Sequence, residues 1–124
     1  VFRSSQSYAR WWEGCTSVHQ MHAEWFEAAS LACSFASHCG APHDKAQYFK
    51  EVMVRLVSML HAVALAELET GGDVGAGLFG NLVHDYELIS PEGLDEESID
   101  VVVRSPCKVQ LLCGWVQHHI MEHT

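Results

Sequence analysis

The 124-residue chain predicts an all-α fold. Two long stretches carry apolar and aromatic residues at three- and four-residue steps, the period of one helix face, and Gly40-Ala41-Pro42 separates them. Nothing alternates cleanly enough to be a strand. The expected architecture is a long antiparallel two-helix hairpin with shorter C-terminal helices after an acidic irregular loop. It is read as one partial domain with segments 1–40, 41–70, 71–94 and 95–124, because a chain of 124 residues holds at most one modest core.

The first helix is expected from about Ser5 to Ser37, with Tyr8, Trp12, Val18, Trp25, Ala29 and Ala36 along its apolar face. Small residues near its far end, such as Ala28, Ala29 and Ala32, permit close approach of a neighbour. Gly40 suits a left-handed cap and Pro42 cannot continue the hydrogen-bond ladder. Asp44 is a candidate N-cap for the second helix, which runs to Glu69 with a wide stripe through Phe49, Met53, Leu56, Leu60 and Val63. A connection this short makes the two helices antiparallel neighbours, with Trp11, Trp25, Val52, Leu56 and Leu60 expected between them. Glycines after Thr70 keep the chain irregular, and Leu82 to Ile89 reads as extended loop. Asp95 is placed to cap a short helix from Glu96 to Arg104, with its acids at the positive end. Pro106 is expected to start the last helix, whose Val109, Leu112, Cys113, Val116 and Ile120 share a face.

The formal charge is -9, and Lys and Arg are absent between Arg55 and Arg104, where ten acids fall from Glu67 to Asp100. That block repels nucleic-acid phosphates, so no nucleic-acid partner is expected. Five cysteines without paired spacing give no disulfide framework, and Cys33 and Cys113 sit among small and apolar neighbours as core thiols. No nucleophile stands in an activating context and no phosphate-cradling glycine loop is present, so no enzymatic activity and no cofactor are expected.

Nine histidines are unusual in a chain this size. Cys15, His19 and His22 project from one helical face and offer sulfur and imidazole to a metal. A closed site needs a fourth ligand, and the nearest others, His38, Cys39, His43 or the His118, His119 and His123 group, would have to be joined by tertiary structure. No metal is therefore expected, and a soluble all-helical binding module using Cys15, His19 and His22 is the alternative function.

The first fourteen residues carry the strongest functional signal. Arg3 and Arg10 precede the pair Trp11-Trp12, and cations beside tryptophans mark the cytosolic exit of a membrane helix, where indoles sit at headgroup level. No run reaches the ~18 apolar residues of a complete span. The chain starts at Val1 without an initiator Met and is expected to be an internal piece of a longer subunit.

The pattern Phe2-Arg3-x4-Tyr8-x-Arg10-Trp11-Trp12-Glu13-Gly14 resembles the signature closing the second membrane helix of the bestrophin family of anion channels, its bacterial, plant and algal branch in particular. The resemblance continues by pattern through Arg55-Leu56-Val57-Ser58-Met59-Leu60 and Gly114-Trp115-Val116-Gln117. Cys15 departs from it, because many relatives carry a basic residue there. The resemblance implies a homopentamer around one axial pore, passive conduction of chloride and in some members bicarbonate, and a cytosolic or stromal position for this portion. Residues 1–40 would then be the end of a membrane helix and its cytosolic continuation, and the membrane would be reached through flanking helices. It places Phe2 at the pore neck and Arg3, Tyr8, Arg10, Trp11, Trp12, Glu13 and Gly14 at the membrane boundary.

Overall fold

The computed structural model describes residues 1–70, 88, 93 and 95–123. Four helices and no strand occur among them: α1 Phe2–His38, α2 His43–Thr70, α3 Glu96–Arg104 and α4 Lys108–Glu122. The fold is all-α, a long helix pair followed by shorter C-terminal helices. The expected acidic connector, 71–94, lies outside the described residues apart from Leu88 and Gly93. Leu88 packs against the core. Gly93 lies against α2, where a Cβ would stand only 2.5 Å from Arg55 Cζ.

Local chemistry sets the boundaries. Gly40 takes a φ of 73°, the left-handed conformation that ends α1. Asp44 is not the cap of α2: Ala46 N–H donates to Pro42 O at 3.1 Å, so the helix starts at His43 and Asp44 falls inside its first turn. Asp95 does cap α3, its Oδ2 accepting from Ser98 N–H at 2.9 Å. Helix α4 starts later than Pro106 because Cys107 holds a non-helical φ of -123° and ψ of 67°, while its carbonyl accepts from Leu111 N–H.

Helix α2 is the centre of the molecule, packed on one side by α1 and on another by α4, with α3 resting on α4. Met59, Leu60, Ala62, Val63 and Ala66 of α2 meet Val102 of α3 and Leu112 of α4 in the core, and Trp25 of α1 reaches it from the edge. The hairpin is antiparallel: His22 meets His61, while farther along α1 Ser37 meets Lys50. α4 also runs against α2, with Leu112 near Val63 and His119 near Phe49.

The offset in the hairpin leaves an overhang. With His22 opposite His61, α2 runs out at Thr70 before α1 has reached its own beginning. Every residue from Val1 to Gly14 is exposed, a projection of about 20 Å at ~1.5 Å per residue. Trp11 is thus not in the hairpin interface, where the sequence placed it, because α2 has no residue left to pack against it. Trp25 and Leu60 do occupy that region, and Val52 and Leu56 are half-buried. No helix among the described residues is long and apolar enough to cross a membrane.

Candidate functional site

The overhang gathers the boundary residues into one exposed surface. Tyr8 lies 6.1 Å from Trp11 and 6.5 Å from Trp12 between ring centroids, and the two indoles are 6.4 Å apart. Successive residues on a helix point about 100° apart, so Trp11 and Trp12 cover adjacent sectors and Tyr8 bridges them from one turn below. Phe2 is 75% exposed, Trp11 61% and Trp12 60%. Arg3, Arg10 and Glu13 are exposed around them, and a Cβ at Gly14 would meet nothing within 4 Å. Together the rings make an exposed aromatic patch with cations at its margin. Nothing in the described residues covers them.

The trio of Cys15, His19 and His22 does not converge as a ligand set. His19 stays exposed, and His22 turns across the hairpin, its Nδ1 3.3 Å from His61 Nε2. Trp25 stands edge-on to the same imidazole with centroids 5.9 Å apart. At 3.3 Å one imidazole nitrogen must donate and the other accept, so the bond requires at least one bare nitrogen. Burial, and after it the nearby charge of His22, holds His61 below its ordinary value. Half-buried Cys33 lines a recess shared with His22, Trp25 and His61, and burial raises its thiol above the usual range, opposed in part by Lys50. Cys113 is also half-buried, packed on the margin of the core.

A second cluster forms where α4 ends beside the start of α2. His119 is buried at 6% exposure and stacks on Phe49, with centroids 4.7 Å apart and planes 9° from parallel. His123 lies one turn on, its ring 4.5 Å from that of His119. Among the described residues, His119, Glu122 and His123 are the group of three whose ligand atoms come together, all within 4.8 Å of one another. Glu122 and His123 border a groove of about 790 Å³ whose walls are largely apolar, including Leu31 and Phe35 of α1 and Ala46 and Phe49 of α2.

Sequence reasoning missed His61 and Glu122, and named His119 and His123 only as distant partners for Cys15, His19 and His22. The partnership of His22 with His61 depends on helix register, which residue types do not encode. The second cluster did leave a signal: His119-Ile-Met-Glu122-His123 spaces its polar residues at three and four, on one side of a helix. No protein-family model, curated protein or solved structure matches this chain.

Proposed function

We propose that the chain is the cytosol-facing helical portion of an anion-channel subunit resembling the bestrophins, with its α1 overhang at the inner membrane boundary. The observation that carries this is the overhang itself: a helix that buries none of its 37 residues and presents Tyr8, Trp11 and Trp12 beside Arg3 and Arg10. An interfacial setting satisfies both parts of that surface, with the indoles at headgroup level and the guanidinium groups on the cytosolic side. Lipid-crossing segments lie outside these 124 residues on this proposal.

Conduction needs no bond chemistry. Five subunits around an axis bring five copies of Phe2 into a ring that narrows the path and disfavours water, so anions cross by shedding part of their hydration. The acids near α3 oppose anions only within about 8 Å of the path at physiological salt, and an outward orientation keeps them farther away. Trp12 acts in assembly, where burying it between subunits or lipid makes its truncation cost about 3–5 kcal/mol.

The test is anion flux from liposomes containing the purified full-length protein, with its mass in detergent measured in parallel. Chloride efflux from a pentameric species supports the channel, and Trp12→Ala should lower the yield of that species. A monodisperse, water-soluble protein that releases no chloride would establish a binding module instead.

A further inference from the structure

We infer that His119, Glu122 and His123 form a binding site for a divalent transition-metal ion of the zinc class at the end of α4, beside the start of α2. Each residue offers a ligand atom, and the three atoms lie within 4.8 Å of one another. In a tetrahedral zinc site with bonds of ~2.1 Å, neighbouring ligand atoms stand about 3.4 Å apart. The remaining closure, at most about 1.4 Å, is within reach of small side-chain torsion adjustments in Glu122 and His123, which are exposed.

Proton placement makes these three residues more than neighbours. His119 Nε2 is 3.1 Å from Phe49 O, and a carbonyl can only accept, so in the neutral ring that nitrogen carries the proton and Nδ1 keeps its lone pair. His123 Nδ1 lies 2.9 Å from His119 O, so by the same logic Nε2 is the bare nitrogen. Glu122 Oε1 lies 3.1 Å from His118 Nε2, which leaves its second oxygen available. Every ligand thus has an outer partner that fixes its orientation, the arrangement that supports metal-bound imidazoles and carboxylates. The helix dipole alone favours a cation at this end of α4. It does not account for two carbonyls fixing two tautomers.

Two nitrogens and one carboxylate oxygen suit zinc, copper or nickel better than magnesium or calcium, which take oxygen sets. Three protein ligands leave a coordination position for water or a small donor, next to the apolar groove that Glu122 and His123 border. The site departs from the sequence-based expectation of no metal. That expectation rested on Cys15, His19 and His22, which do not converge because His22 turns to His61, whereas His119, Glu122 and His123 come together at the end of α4 as an open three-ligand set.

The experiment is calorimetric titration of the metal-stripped protein with zinc sulfate in a non-coordinating buffer, repeated on His123→Ala and Glu122→Gln. Both residues are exposed, so folding should survive, and unchanged circular dichroism verifies it. One zinc per chain is expected, with affinity falling at least about 10- to 100-fold in either variant, since even outer partners contribute that much. In nitrogen-15 NMR of the His119 ring, zinc should shift Nδ1 while Nε2 remains protonated. Absence of binding, or binding unchanged in both variants, overturns the site. Zinc uptake lost in Cys39→Ser and kept in His123→Ala overturns it as well, by assigning the metal to the thiol.

Discussion

At the scale of single residues, half-buried groups across the α1/α2 seam translate most directly into measurements. His61 is depressed below its ordinary value of 6.5, chiefly by burial. Below that value the unfolded chain binds more protons at this position than the folded one. Its stabilising contribution is therefore present above 6.5 and lost as pH falls through the window beneath it. Thermal melts from about pH 7.5 to about pH 5.5 should show a midpoint that declines more steeply for the wild type than for His61→Gln. Equal slopes would mean that His61 is not what senses acid in the hairpin. Cys33 supplies a second prediction: with its thiol raised by burial, it should alkylate more slowly than exposed Cys39, as followed by mass spectrometry of peptides over time. Its small, apolar neighbours place Cys33 in the core by sequence, whereas the fold leaves it half-buried at the recess beside His61. The His22 and His61 pair was not legible, because they are 39 positions apart and meet only through helix register.

At the scale of elements, helices were legible and their ends less so. Glu96–Arg104 is both the expected and the observed α3, because Asp95 and the acids after it identify a helix start by side-chain chemistry alone. α2 and α4 begin where backbone geometry at Pro42 and Cys107 decides, and side-chain preference at Asp44 or Pro106 did not reveal that. The partition of the last helix was also legible in outline: Leu112 is fully buried, although Ile120 on the same expected face is exposed. Leu112 joins α4 to the core of α2 and to Val102 of α3. Leu112→Ala should cost about 2–5 kcal/mol in urea unfolding, with loss of α3 and α4 before α2 in hydrogen exchange. A change under about 0.5 kcal/mol would mean that this helix is only loosely attached.

At the scale of the whole molecule, the chain exposes 8748 Å², against roughly 6,600 Å² for a compact monomer of its mass. Helix α1 contributes to that excess by burying none of its residues and by keeping Phe26, Leu31 and Phe35 exposed as well as its first turns. A surface this apolar is costly in water, which supports the proposed contact with other subunits or with lipid. The aromatic and cationic composition of the overhang was readable from the sequence. Its freedom from α2 was not, since that follows from where two helices of unequal length are joined. The central proposal, a pore neck built from the start of α1, is tested most directly by planar-bilayer recording of the full-length protein beside its Phe2→Ala variant. Removing five rings should raise chloride conductance or loosen gating and weaken discrimination among anions in a pentamer that still assembles. An assembled variant with conductance, gating and anion preference unchanged would contradict the proposed position of Phe2 in the conduction path.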